Sequence, residues 1–150
     1  MYRISLIIVS AGILAAACAN RIEKSEPTET SKTAEMVSFP EMKWTSFPEM
    51  PGMEIAALSG DPKSGAYTEM RKVRAGTDMG PHTHSNELTD VVISGVWYIG
   101  TDMASAKDLG PGSVAVVPPN WVHVSGCRPG SDCVFFHEGK GKFEFRRSGQ

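Results

Sequence analysis

The sequence predicts an all-β protein, a β-sandwich or small barrel, from its composition and from the spacing of its apolar runs. The 150 residues include 15 Gly and 10 Pro, a turn-rich composition that favours many short strands over long helices. Strand-like runs follow one another closely, and no amphipathic helix separates them. They are Glu54–Leu58, Ala66–Val73, Thr89–Ser94, Val96–Ile99, Ser113–Val117, Trp121–Val124, Val134–His137 and Lys142–Arg146. A short helical turn is expected only at Met103–Lys107.

Length and charge narrow the class of protein. The chain is long enough for one domain after a leader, and a hydrophobic content of 41% is sufficient for a core. The formal net charge is −2, and removal of Arg3 with a leader makes it more negative still, which argues against nucleic acid as a partner. The sequence contains no nucleophile–base motif, phosphate loop or dinucleotide fingerprint.

The first 17 residues are predicted to be a signal peptide. One basic residue, Arg3, precedes the apolar run Ile4–Ala17, which has the length of a signal-peptide core and is short for a membrane span. The run ends in small residues before Cys18 and resembles a bacterial lipobox, in which that cysteine is lipidated, although Ala15 stands where Leu is commonest. Cleavage after Ala17 or Ala19 without lipidation, or a retained anchor helix, are the alternatives.

Residues 18–50 are predicted to be a polar tether and an extended lead-in to a domain at 51–150. Asn20–Glu35 has almost no apolar side chains, so it cannot bury enough surface to offset its ordering entropy. Ser38–Met42 recurs as Ser46–Met50, and the aromatic residues of this lead-in are expected to pack on the domain. Ala19 after the cysteine, by resemblance to proteobacterial lipoproteins, implies an exported, periplasmic lipoprotein anchored to the outer membrane.

Two further cysteines, Cys127 and Cys133, flank a turn sequence. An even pair in an oxidising compartment is compatible with a disulfide across the ends of a hairpin. Two free thiols, one of them buried in a strand, are the alternative.

Three of the four histidines lie in two patterns that begin at glycines. His82 and His84 follow Gly76, and their separation of two residues directs both imidazoles to the same face of a strand. His123 follows Gly112 and a tight turn at Pro118–Asn120. Three imidazoles that converge inside a barrel would form a site for a divalent metal.

These two patterns resemble the cupin motifs G-x5-H-x-H-x3,4-E-x6-G and G-x5-P-x-G-x2-H-x3-N, in the correct order. The resemblance covers roughly residues 55–145 and implies a cupin-type double-stranded β-helix, a jelly-roll β-barrel. It also implies a metal held by the histidines, which would be zinc, iron, manganese or nickel.

The chain departs from these motifs at three positions. Leu88 stands where the family has its glutamate ligand, while Asn120 and Cys127 replace the glycine and asparagine of the second motif. Glu87 would point to the opposite face of a regular strand unless a bulge turns it inward. Asp90 lies two residues after Leu88, so its side chain is expected to point to the same, inward face of the strand. The expected site is therefore His82, His84 and His123, completed by Glu87, Asp90, water or substrate.

Two other groups of polar residues fall on apolar strands. His137 is expected to be structural or to support the ligands rather than to bind metal. If Tyr67 and Val73 face inward, so do Glu69 and Arg71. That pair would either line a pocket and hold a polar or anionic ligand, or lie in water on an edge strand.

Three functions are compatible with these features. The first is a mononuclear metalloenzyme that binds a small-molecule substrate at the open metal positions, for which the family resemblance leaves dioxygenation, isomerisation and decarboxylation open. The second is a binding module that senses or stores a metal or ligand, and the third is a structural barrel. By analogy with cupins a homodimer is expected, with contact to the membrane only through the lipid anchor.

Overall fold

Short runs of β-branched and aromatic residues, separated by Gly and Pro turns, form the strands of the computed structural model, which describes residues 33–148. The predicted leader and Cys18 lie outside these residues. A 3-10 helix at Phe39–Glu41 comes first, and no helix within the described part is long and apolar enough to cross a membrane. The strands are β1 (Thr45–Ser46), β2 (Met53–Gly60), β3 (Tyr67–Val73), β4 (His82–Thr83), β5 (Leu88–Ser94), β6 (Trp97–Gly100), β7 (Lys107–Leu109), β8 (Val114–Val117), β9 (Val124–Cys127), β10 (Cys133–Gly139) and β11 (Arg146–Arg147).

The strands form antiparallel sheets around one core. The largest sheet has the order β1-β2-β3-β10-β5-β8, a second has the order β7-β6-β9, and β4 pairs with β11. Val73, Val92 and Phe135 of the largest sheet pack with Trp97 and Cys127 of the second. The predicted all-β class and the cupin-type jelly roll are thereby confirmed.

The lead-in packs against the domain on two sides. Phe47 contacts the core and lies edge-on to Phe143, with ring centroids 5.6 Å apart. Trp44 covers Met70 on the outer face of β3, and the Lys72 ammonium lies 4.5 Å from its ring centroid. The compact unit accordingly begins at Met36, because these apolar side chains before residue 51 are covered only by packing on the sheet.

Several strand boundaries differ from the sequence-based expectation. The candidate strand Trp121–Val124 is wrong for most of its length, since β9 begins at Val124. Only Arg146 of Lys142–Arg146 is in a strand, and Met103–Lys107 contains a turn rather than a helix. The short strands β4 and β7 were not predicted, because two or three residues carry too little periodicity to identify a strand.

Asn120 explains why the second motif tolerates the loss of its glycine. Its φ of 60° lies in the left-handed region, which Asn enters at lower cost than most residues with a Cβ. The amide N–H of Asn120 donates to the carbonyl of His84 at 2.7 Å. This turn therefore ties the second motif directly to the first.

Candidate metal centre

The backbone brings His82, His84 and His123 together. His82 lies on β4, and its main chain exchanges two hydrogen bonds with that of His123, at 2.9 and 3.0 Å. His84 lies two residues beyond His82 and faces the same side. One ring nitrogen from each of these three buried residues lies within 4.8 Å of the others. We refer to them as the three-histidine cluster.

Hydrogen bonds set the tautomer of every imidazole in this cluster. The Nδ1 atoms of His82, His84 and His123 lie 2.8, 2.7 and 2.9 Å from the carbonyls of Gly80, Glu144 and Trp121, respectively. A carbonyl only accepts, so each Nδ1 carries the proton and each Nε2 keeps a lone pair. Protein imidazoles that bind metals are typically oriented by this kind of hydrogen bond through the other ring nitrogen.

Burial also keeps these imidazoles neutral. Desolvation lowers the pKa of His82 to about 4 and that of His84 to about 3, and it lowers the pKa of His123 as well. Neutral imidazole is the form that binds a metal ion. Three neutral nitrogen donors on one side suit a divalent transition metal, so the residues present fit the ion that the motifs imply.

The structure does not bring Glu87 into this cluster. Leu88 is buried and lines the cavity beside the histidines. Glu87 precedes β5 and is half-buried, and its carbonyl accepts a hydrogen bond from the amide of Lys140. The irregularity in the pairing of β5 lies at its far end, near Val92, so no bulge turns the Glu87 side chain inward.

Asp90 faces inward, as its parity predicts, but it contacts His137. The Asp90 carboxylate lies 2.6 Å from Nδ1 of His137, and Nε2 of His137 lies 2.9 Å from the hydroxyl of Tyr67. Burial raises the pKa of Tyr67 to about 12, and burial together with the nearby charge of Arg71 lowers the pKa of His137. The phenol therefore donates to a neutral imidazole, which in turn donates to Asp90.

Glu69 and Arg71 both lie in the interior and pair with each other. Nε of Arg71 lies 2.7 Å from Oε1 of Glu69, and both side chains are almost fully buried. Nη2 of Arg71 reaches the hydroxyl of Tyr67 at 3.4 Å, and the guanidinium lies 4.9 Å from the ring centroid of Phe143. Because both side chains are buried and β3 lies between β2 and β10, this pair does not lie in water on an edge strand, and its binding of a ligand stays a prediction.

A segment that the sequence analysis did not assign to the site covers the cluster. Phe145 stacks on His82, and the carbonyl of Glu144 accepts the hydrogen bond from His84 described above. β11 pairs with β4, and Arg147 Nη1 donates to the carbonyl of Met79 at 3.1 Å. The alternation of Phe143 and Phe145 indicated a strand, but it carried no signal that the strand would close the site.

The covered cavity is small. Its volume is about 20 Å³, and the groups lining it include the three-histidine cluster, Arg71, Asp90, His137 and Trp97. A space of this size holds about one water molecule. A larger groove of about 520 Å³, lined by Phe47 and Arg74, contains none of the histidines, so the chemistry of the site belongs to the small cavity.

Cys127 and Cys133 form a disulfide, with their Cα atoms 5.8 Å apart. Both residues are buried in the core cluster, next to the ends of β9 and β10. The bond links the second sheet to the largest one close to Trp97.

Comparisons with known proteins bear on the fold and the family of the chain. No curated protein sequence matches the chain. Its fold is similar to that of the polyketide cyclase RemF from Streptomyces resistomycificus (18% identity, 79% of this chain and 87% of that chain, TM-score 0.65). It is also similar to an RmlC-like cupin protein from Ralstonia eutropha (20% identity, 75% and 72%, TM-score 0.61). The anti-sigma factor ChrR, in complex with SigE of Rhodobacter sphaeroides, shares the fold at 17% identity, over 69% of this chain and 51% of that chain, with a TM-score of 0.53.

These likenesses, all of low identity, concern the fold alone. The family match is more specific, since residues 32–142, well over half of the sequence, match the ChrR cupin-like domain. The chain belongs to the ChrR cupin-like domain family.

Proposed function

We propose that this protein binds one divalent transition metal through His82, His84 and His123. The observation that carries the proposal is the set of three Nδ1–carbonyl hydrogen bonds, which leaves three Nε2 lone pairs in one small cavity. When bound, such a metal supplies Lewis acidity and open coordination positions for a small molecule. The chain itself supplies neutral imidazoles, holds their orientation and excludes bulk water with Phe145.

Metal content tests this proposal. The full chain, purified without chelators from a bacterial host, should contain about one equivalent of zinc, iron, manganese or nickel by elemental analysis. His84→Ala should remove the metal while the β-sheet circular dichroism remains. His137→Asn is the matched control, because it changes a buried histidine that lies outside the cluster. Equal metal content in the wild type and in His84→Ala would overturn the assignment.

A non-catalytic module that senses or stores the metal is the second candidate. The small volume of the cavity favours it, because a space of about 20 Å³ holds about one water molecule and leaves no room for a larger substrate. Tightly held zinc without exchangeable ligands would support this module. Bound iron or manganese, with oxygen consumed in the presence of a small-molecule substrate, would support a metalloenzyme instead.

We also propose that the protein is exported and is held at the outer membrane by lipidation of Cys18. Support comes from the leader sequence and from the disulfide between Cys127 and Cys133, since structural disulfides are typical of oxidising compartments. Its contact with the membrane would then be the lipid anchor alone.

A homodimer through the edge strand β8 completes the proposal. Val114 and Val116 on this strand are 56% and 59% exposed, and Ile93 on the neighbouring strand is also exposed. Exposed β-branched residues beside an unpaired edge favour pairing with a second copy. Val116→Glu should convert the dimer to a monomer in sedimentation analysis, whereas Thr68→Glu, on an interior strand, is the control. A wild-type protein that sediments as a monomer would overturn the proposed dimer.

A further inference from the structure

Three methionine side chains lie together in the interior, beside the three-histidine cluster. Met50, Met53 and Met79 are 6%, 3% and 7% exposed and belong to one core cluster. All three line the small cavity that contains the histidines, and all three also line a second cavity of about 60 Å³. We refer to them as the three-methionine group. The same three side chains thus form part of the wall of both cavities.

Two segments of the chain supply the three-methionine group. Met50 lies in the turn before β2 and Met53 is the first residue of that strand, and the amide of Met53 donates to the carbonyl of Met50 at 3.0 Å. Met79 lies on a segment that pairs with β9, where its amide donates to the carbonyl of Ser125 at 3.0 Å. This second segment continues to His82. The fold thus places the turn of the lead-in against the segment that carries the candidate metal ligands.

The thioether sulfur of methionine is a soft ligand. Soft sulfur ligands favour copper(I), whereas the imidazoles of the neighbouring cluster also suit divalent ions such as zinc. The two cysteine sulfurs within residues 33–148 are bonded to each other, so thioethers are the soft donors that this part of the chain retains. Methionine also fills irregular gaps in a core without binding any ion, and the experiment must exclude this alternative.

The second cavity suits a small monovalent ion. Its other lining residues are Pro51, Thr77, Asp78, Phe145 and Arg147. Asp78 and Arg147 are exposed and of opposite charge, so they add no net charge, and Arg147 donates to the carbonyl of Met79 at 3.1 Å. A volume of about 60 Å³ holds one ion with few water molecules. Sulfur ligands would therefore have to replace most of the hydration shell of the ion.

We propose that the thioethers of Met50, Met53 and Met79 bind one copper(I) ion in the second cavity. This site is separate from the one proposed for the divalent ion, and it does not rest on that metal. Phe145 lines both cavities and stacks on His82. The two sites would thus be neighbours that differ in their ligands, with sulfur for copper(I) and imidazole nitrogen for the divalent ion.

Nuclear magnetic resonance of the methionine methyl groups reports directly on thioether ligands. The full chain, labelled with ¹³C at these methyls and loaded with zinc to occupy the histidines, is titrated with copper(I) under anaerobic conditions. The chain has eight methionines, and a resonance is assigned from the signal that replacement of its residue by leucine removes. The resonances of Met50, Met53 and Met79 should shift together and saturate at about one equivalent. The resonance of Met70, which packs in a different core cluster, should remain in place.

Leucine variants separate ligation from core packing. Met53→Leu removes one sulfur but nearly conserves the volume of the side chain, so the protein should remain folded. Its Kd for copper(I), measured by competition with a chromophoric chelator, should rise at least about tenfold, since losing a ligand costs no less than losing a group that orients one. The Kd for zinc should not change. Met70→Leu is the matched control, because Met70 is also 6% exposed, and both Kd values should stay as in the wild type.

Three results would overturn the proposal. The first is a set of methyl resonances that ignores copper(I). The second is a copper(I) Kd that is the same in the wild type, Met53→Leu and Met70→Leu. The third is an equal rise of the copper(I) and zinc Kd values in Met53→Leu, which would assign Met53 to packing alone.

The two metal sites are tested separately by His84→Ala. This variant should lose zinc and still bind copper(I), with the same three methyl resonances shifting. If it loses copper(I) as well, the ion occupies the histidines, and the methionine site fails while the histidine site stands. If zinc does not bind to the wild type, the histidine site has failed, and the copper(I) titration of the metal-free protein then decides the methionine site alone.

Discussion

Phe145 stacks on the imidazole of His82, with ring centroids 4.4 Å apart and ring planes inclined by 27°. Phe145 belongs to the segment that covers the three-histidine cluster, and the same segment supplies the carbonyl of Glu144 to His84. One segment of the chain therefore both covers the cavity and orients the imidazole of His84.

Phe145→Ala should speed metal release. Removing the ring opens the cavity above His82 but retains all three candidate ligands, so bound zinc should exchange into a chelator about tenfold faster, at an unchanged stoichiometry. Truncating this half-buried ring should also cost about 1–2 kcal/mol of unfolding free energy, less than for a fully buried phenylalanine. Phe39→Ala, at an exposed position on the lead-in, is the control. Equal release rates in the two variants would show that Phe145 does not limit access.

Leu88→Glu should strengthen metal binding. The side chain at this position is buried against the cavity, so a carboxylate there would reach the metal and complete the family's ligand set. We expect about a tenfold to hundredfold lower Kd for zinc, measured by competition with a chromophoric chelator. Glu87→Gln, one residue away, should leave the Kd unchanged. A weaker Kd in Leu88→Glu would contradict the inward orientation of residue 88 in the metal-bound protein.

The metal-free protein should lose stability as the pH falls below about 6.5. The folded pKa values of His82 and His84, about 4 and about 3, lie below the ordinary value of 6.5. Between these values the unfolded chain binds more protons than the folded protein. The stability contributed by the neutral imidazoles is therefore complete above pH 6.5 and is lost as the pH falls toward the two folded pKa values. Each histidine should add a slope of about 1.4 kcal/mol per pH unit, measurable by urea unfolding. A flat profile from pH 7 to 5 would refute the burial of these imidazoles.

Loss of the disulfide should weaken the fold moderately. The bond between Cys127 and Cys133 closes a loop with a sequence separation of 6, so the double variant Cys127→Ser/Cys133→Ser should lose about 2 kcal/mol of unfolding free energy. In a reducing agent, the Tm of the wild-type protein should fall to about the Tm of the double variant. If reduction leaves the Tm unchanged, the disulfide does not contribute to stability.

Cys18→Ser should abolish incorporation of a radiolabelled fatty acid in a bacterial host. In the proposed anchor the lipid is bonded to the thiol of Cys18, while Cys127 and Cys133 are bonded to each other. Labelling should persist in the double variant of those two cysteines. Continued labelling of Cys18→Ser would indicate a different anchor.

The sequence predicted which face of a strand a side chain occupies better than it predicted which residue that side chain contacts. The alternation of side chains placed Asp90 on the inward face and left Arg71 open between the interior and water. It cannot show that Asp90 contacts His137 on β10 or that Arg71 pairs with Glu69 on its own strand. The spacing of His82, His84 and His123 indicated convergence, because motif glycines and a turn between strands constrain the backbone locally.

The cover of the site was not predictable for a related reason. Phe145 and Glu144 meet the histidines through the pairing of β11 with β4, a contact between residues far apart in the chain. Two-residue strands leave no periodic signal. The unpaired indole N–H of Trp97 was not predictable either. It follows from the absence of an acceptor among residues 33–148 of the folded chain and not from any pattern along β6.

The pairing of β11 with β4 has a consequence for the timing of metal uptake. This pairing consists of two residue pairs only, so it can open locally while the larger sheets remain intact. An ion that arrives while it is open meets no aromatic ring over His82, whereas one that arrives later must wait for the next opening. The rate of exchange is therefore set by local opening of the last strand and not by unfolding of the barrel.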